Sequence, residues 1–347
     1  MSGRVVSSLD GFQRRHRWAG FPLAVAYKFV DDQGGYLAAL ITYYGFLSLF
    51  PLLLLLVTVL GFVLHGDPHL QAKLLNSALA QFPVIGSQLR ENVHARSGSG
   101  LALVVGIVTT LYGCLGAAQA TQNALNRAWA VPRNVRPNPI KSRLRSLLLV
   151  GVLGLGVLVT TGLSGLTTGA GAFGATVAGG LRVGAIVLAV LANIALFMLA
   201  FRVLTAPEVP TRHLRLGAVV AGIGWEIGQL AGTYFVTHAL KGTREAYGVF
   251  GLVLGLIAWI YLLALITVLS AEINVVAQRH LWPRALLTPF TDDVQLTSAD
   301  KRSYTAYAES ERHKGFETVD VDFEAPRQAS RRDGGEASPR DHGGTEP

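Results

Sequence analysis

One acidic side chain, Glu226, interrupts the apolar stretch LRLGAVVAGIGWEIGQLAGTYFV at residues 214–236. Helical rise puts it roughly 18 Å from the start of the stretch, which is mid-bilayer if the stretch crosses a membrane. A carboxyl at that depth is costly, so it is read first as a functional group, either paired or protonated. Gly222, Gln229 and Thr233 share its helical stripe. The chemistry such a stripe offers is a proton or cation site, or a contact to a cationic group. Gly224, Gly228 and Gly232 form a second stripe, about 130° around the helix, whose small residues admit a closely packed neighbour.

A second polar set lies in LITYYGFLSLFPLLLLL, residues 40–56, with Tyr43, Tyr44 and Ser48 ahead of Pro51. Pro51 cannot donate to the carbonyl of Leu47, so a kink is expected there, with Ser48 placed to help satisfy the freed group. Asn193 adds an amide within 183–205. Tyr43, Tyr44, Ser48, Asn193, Glu226, Gln229 and Thr233 are therefore expected to line a polar intramembrane cavity. The competing structural reading makes the tyrosines an interfacial belt and Glu226 a hydrogen-bonded register lock. Gly251 and Gly255 form a further close-packing pair in the last apolar stretch.

Soluble-type catalysis has no visible machinery. The histidines are scattered, and Gly66 and Pro68 disrupt the one close pair, His65 and His69, as helical ligands. There is no phosphate loop, nucleotide fingerprint or nucleophile elbow. The lone Cys114 excludes an intramolecular disulfide. No catalytic residue, cofactor or metal is expected, and the chain is not expected to be an enzyme.

The elements that must position these residues follow from hydropathy. Residues 37–64 contain no Asp, Glu, Lys, Arg or His, and similar runs recur near 100–123, 146–170, 183–205, 214–236 and 247–273. Runs of 18 or more such residues read as transmembrane helices, so the fold class expected is all-α, a polytopic membrane protein with six spans. Lys and Arg number 24 in the segments on one side and 6 on the other, and 14 against 6 without the C-terminal tail. Both termini are therefore expected in the cytoplasm. Residues 1–36 read as a basic tail with an interfacial helix in which Trp18, Phe21, Val25 and Phe29 share a face. Leu70, Leu74, Leu75 and Leu79 suggest a second surface helix on the outer side. Residues 37–282 form the transmembrane domain, and 283–347 are polar and expected to be disordered. The basic collar is matched to anionic lipid of the inner leaflet. A nucleic-acid partner is not expected, and oligomeric state is left open.

The motifs ALITYYGFLSLFPLLLL, ALNRAW at 124–129, GAVVAGIGWEIG and YGVFGLVLGLIAWIYLLALITVLSAEIN at 247–274 resemble the YihY/BrkB family of bacterial inner-membrane proteins. The resemblance spans roughly residues 20–282. It implies a six-helix bundle in the cytoplasmic membrane, without a settled activity. Members have been labelled virulence factor, serum-resistance protein or ribonuclease BN, and no metal-ligand cluster here supports the last label. Ser270 stands where relatives commonly have Gly. The functional expectation is a transporter or flippase-like protein acting on an unidentified small molecule or lipid. The alternative is a non-transporting envelope protein, and a membrane ribonuclease is least favoured.

One ion pair is expected. Arg202 lies about one turn or less from the inner end of its span and can snorkel toward Glu272, which closes the last span. That would leave Glu226 without a basic partner and protonated at neutral pH. The topology has a direct test. Reporter fusions after Gly98 and Gly242 should report the outer side, and one after Asn138 the cytoplasm; a cytoplasmic signal at Gly98 would reject it.

Overall fold

The computed structural model describes residues 10–63, 100–151 and 175–324, apart from 137, 139, 150, 207, 289, 290, 292 and 293. Every regular element among the described residues is helical. We number the longer helices α1 (Arg17–Asp31), α2 (Gly34–Val63), α3 (Gly100–Ala128), α4 (Ala175–Leu204), α5 (Arg215–Arg279) and α6 (Ser298–Ser310). Most of the expected third span, from 152 onward, and the outer surface helix at 65–99 lie outside the described residues. The helical run of α2 continues through Pro51.

α5 is one run of helical bonding that folds back on itself. A straight helix of 65 residues would be roughly 97 Å long. Yet the Gly217 amide donates to Asn274 Oδ1 at 2.6 Å, and Trp259 Nε1 donates to the Gly228 carbonyl at 3.2 Å. The chain therefore reverses between residues 228 and 259, and two antiparallel arms lie side by side. These arms occupy the positions read from sequence as the fifth and sixth spans. α5 ends with His280 in the left-handed conformation and the Leu281 amide bonded back to the Val276 carbonyl, which closes the last turn.

Apolar surface faces outward. Two described segments, Ile186–Leu204 and Val253–Arg279, are long and apolar enough to cross a membrane, with hydropathies of 2.4 and 2.5. In the first, Ile186, Val187, Leu188 and Leu191 are all exposed. A soluble protein would turn such a face inward, because exposed apolar surface of this extent drives association in water. The buried core gathers instead at one end of the bundle. There Val25, Leu125, Trp129, Phe201, Leu214 and Val275 pack together from α1, α3, α4, α5 and the residues that flank α3 and α5.

That end also holds two departures from expectation. In α1, Val25 is buried, Phe21 packs on Trp282 with ring centroids 5.5 Å apart, and Phe29 lies against Gly34. Three of the four residues of that face are turned onto the bundle, and Trp18 is left exposed. The segment from 283 onward, expected to be disordered, contains α6. Its Thr297 and Asp300 form a reciprocal capping box, and Asp300 is fully buried. Arg284 Nε donates to Asp300 Oδ1 at 2.5 Å and the Ala285 amide to Oδ2 at 3.0 Å. Arg284 Nη2 donates to Asp31 at 3.1 Å, while Gln13 and Tyr27 donate to the carbonyls of Arg284 and Leu286. Composition averages away such a directional set of bonds, which is why the polar tail misled. Residues 325–347 lie outside the described residues.

If these bonds dock the segment, Asp300→Ala removes the acceptor shared by Arg284 Nε and the Ala285 amide and leaves a buried guanidinium short of a partner. A loss of about 3–5 kcal/mol is expected, read as a lowered unfolding midpoint of the detergent-solubilised protein. An unchanged midpoint would show that the segment is not tied down.

Candidate functional site

Glu226 and Asn193, both expected to line a cavity, meet each other. Asn193 Nδ2 on α4 donates to Glu226 Oε1 on the first arm of α5 at 2.6 Å. Backbone proximity makes this possible. A Cβ on Gly222 would stand 2.9 Å from the backbone nitrogen of Ile194, so α4 reaches α5 only because that position has no side chain. Glu226, Asn193 and Gln229 are each half-buried. No basic side chain pairs with Glu226 among the described residues. The side chain of Thr233 is outside them.

The glycine stripe faces the other arm. A Cβ on Gly224 would meet Ile266 at 2.7 Å and one on Gly228 would meet Leu263 at 2.8 Å. Gly232 is buried on the same stripe, while Gly251 and Gly255 sit in the second arm, half-buried and buried. Gly217, two turns before Gly224, extends the ridge: a Cβ there would collide with the Ser270 carbonyl at 2.2 Å. Asn274 closes this end by accepting from the Gly217 amide and donating to the Leu214 carbonyl at 3.2 Å. It thus satisfies the Gly217 amide, which lies in the first turn of α5 where the helix itself offers no acceptor. Sequence reasoning passed over Asn274, although it ends the motif SAEIN.

The residues of α2 do not join Glu226. Tyr44 packs where a Cβ on Gly116 of α3 would be, and Ser48 against Gly113. Ser48 Oγ donates to the Gly45 carbonyl at 2.9 Å, so its bond goes to Gly45 and not to the Leu47 carbonyl. Tyr43 is 61% exposed and meets Tyr44 edge to face. Among the described side chains, Tyr44 and Ser48 therefore lie at the α2–α3 interface, while Asn193 and Glu226 bond each other at the α4–α5 interface.

The expected Arg202–Glu272 pair is not formed. Arg202 is exposed, and its Nη1 reaches the Val209 carbonyl at 3.4 Å. Glu272 is wholly buried and faces Lys28 Nζ at 3.6 Å. Lys28 is also paired with Asp32, one turn on in α1. The depth argument placed Arg202 and Glu272 at one level but left the azimuth of each helix free, and α1 fills the space between. Lys28 lies 4.9 Å over the Tyr307 ring of α6. Burial, then the charge on Asp32, pushes the Tyr307 phenol upward. Burial likewise raises the Asp31 carboxyl, against the pull of Arg284. No three His, Cys, Asp or Glu side chains gather as metal ligands among the described residues.

These geometries order two substitutions. Lys28→Met strands a buried carboxylate and should cost about 3–5 kcal/mol. Arg202→Gln should stay within about 0.5 kcal/mol, as for most surface changes. Unfolding midpoints in detergent compare the two, and the reverse ranking would restore the Arg202–Glu272 pair.

Comparison with known proteins assigns the chain to a family. The family described as virulence factor BrkB matches residues 25–289. A membrane protein of the UPF0761 group from Alcanivorax borkumensis is 30% identical over 73% of this chain and 60% of its own, so this chain spans under two thirds of that relative. The inner membrane protein YhjD of Escherichia coli is 27% identical over 70% of this chain and 77% of its own. YfkH of Bacillus subtilis, named as ribonuclease-like, is 24% identical over 73% and 93%. No solved structure matches. The match runs from α1 through the end of α5, taking in the Glu226 stripe, the glycine ridge and the Lys28–Glu272 contact, and the chain is a membrane protein of the BrkB/YihY family.

Proposed function

We propose that this protein is a transporter or flippase-like protein of the bacterial inner membrane, with six spans and both termini in the cytoplasm. The observation that carries the reading is the Asn193–Glu226 bond, between two apolar helices. Asn193 lies near the middle of the membrane-length segment Ile186–Leu204, so the carboxyl stands at similar depth. A charged side chain at the bilayer centre costs about 2.5–3.5 kcal/mol on insertion scales. One amide donor offsets part of that cost, and the half-buried carboxyl keeps surface through which a proton or cationic group can reach it. Gln229, one turn on, extends the polar stripe. The role assigned to Glu226 is a proton or cation site, or a contact to a cationic headgroup.

A second reading, a non-transporting envelope protein, is favoured by the division of the polar residues between two interfaces. In that case the Asn193–Glu226 bond sets the register of α4 against α5, with Gly222 permitting the contact. Proteoliposomes separate the two readings. The first readout is exchange of a fluorescent-headgroup phosphatidylethanolamine between leaflets, and the second is proton flux by a trapped pH dye. The wild-type protein should accelerate one of them. Glu226→Gln should cut that rate by at least about tenfold, some 1.4 kcal/mol, with the unfolding midpoint preserved. No acceleration by the wild type, or full activity in Glu226→Gln, would reject the transport reading. Non-additive destabilisation by Glu226→Gln and Asn193→Ala, without flux, would support the register lock.

A further inference from the structure

The junction of α1, α5 and α6 contains more negative than positive charge in a closed space. Lys28 and Asp32 are almost fully buried and Glu272 is fully buried. The Lys28 ammonium bonds Asp32 Oδ2 and stands 3.6 Å from Glu272 Oε2, beyond hydrogen-bonding reach. Both oxygens of Glu272 and the Oδ1 of Asp32 are buried without a hydrogen bond from any donor. Both carboxyls thus face the same ammonium, Asp32 in bonding contact with it and Glu272 at 3.6 Å. Two ionised carboxylates against one buried ammonium leave a negative charge uncompensated, whereas a carboxylic acid and a carboxylate do not.

The surrounding charges do not remove the imbalance. Arg279 of α5 donates to the Trp129 carbonyl and feels Asp32 and Glu309. Arg284 is committed to Asp300 and Asp31, and this group adds two carboxylates to one guanidinium. Tyr307 of α6 offers Lys28 its ring face. On the next turn α2 and α3 contribute Ala38 and Ala124, against Ala264 and Val268. Counted together, Lys28, Arg279 and Arg284 face Asp31, Asp32, Asp300 and Glu272, one negative charge in excess. An uncompensated buried carboxylate neutralises by binding a proton rather than remaining charged.

We propose that this junction is a proton-binding site: Glu272 carries one proton and donates it to Asp32 Oδ1, while Lys28 neutralises Asp32. That single proton satisfies two of the stranded carboxyl oxygens and ties the second arm of α5 to the end of α1. Its loss would set two carboxylates against one ammonium and loosen α1 from the bundle. The site lies level with the start of the first arm, about eleven residues from Glu226, and does not depend on the transport reading.

Infrared spectroscopy of the full-length protein in lipid tests the assignment. The wild type at neutral pH should show the carbonyl band of a buried protonated carboxylic acid, with the usual shift in deuterated buffer. Glu272→Gln should remove a band component of that kind while keeping the unfolding midpoint, because an amide can donate the same hydrogen bond to Asp32. Asp32→Asn should also remove it, though Glu272 is still present, because Glu272 then ionises against Lys28. Persistence of every such component in both variants would overturn the site, as would its absence from the wild type. A large drop in midpoint for Glu272→Gln would also overturn it, by showing that Glu272 is needed as a charge.

Discussion

Close approach of helix backbones is the constraint on which the rest depends. Gly217, Gly224 and Gly228 lie along one face of the first arm of α5, and in each case a Cβ would collide with the second arm. Helices surrounded by lipid gain little from burying apolar side chains against each other, so contact has to come from packing and from hydrogen bonds between them. The ridge supplies the first. Asn274 and Trp259 supply the second, by reaching across to the backbone of the opposite arm. Gly222, on the adjoining face, extends the same device to α4 and so sets the distance at which Asn193 meets Glu226. Gly113 and Gly116 repeat it between α2 and α3.

The polar groups then divide by depth. Along the helices, Asn193 and Glu226 form an interhelical side-chain pair. At the end of the bundle where α1 and α6 dock, polar groups are dense and almost entirely buried. Arg284 illustrates the difference. Burial alone would lower its affinity for a proton, but its bonds to Asp300 and Asp31 outweigh that effect. A buried ion group of this kind contributes less to net stability than to holding one arrangement, since each charge has a desolvation cost to recover. Here the arrangement held is that of α1 and α6 against the end of α5. The family match ends at residue 289, and α6 begins beyond it at Ser298.

What the sequence by itself determined was whatever depends on one helix at a time. Helix type follows from long uncharged runs. The two stripes of α5 follow from its helical period, and the structure turns Gly224 and Gly228 to one neighbour and Glu226 to another. The motifs also carried the family. What only the tertiary structure decided was which faces meet. Helical depth can be counted along a chain, but rotation about the axis and the choice of neighbour cannot. Arg202 and Glu272 therefore matched in level and not in contact, and Lys28, read as part of a basic tail, became the partner. Tyr44 and Ser48 turned to α3 for the same reason. The polar segment after residue 282 was judged by average composition, which records how much apolar surface a chain has to bury. It does not record that Thr297, Asp300 and Arg284 are placed to satisfy one another, and that directional bonding is what orders the segment.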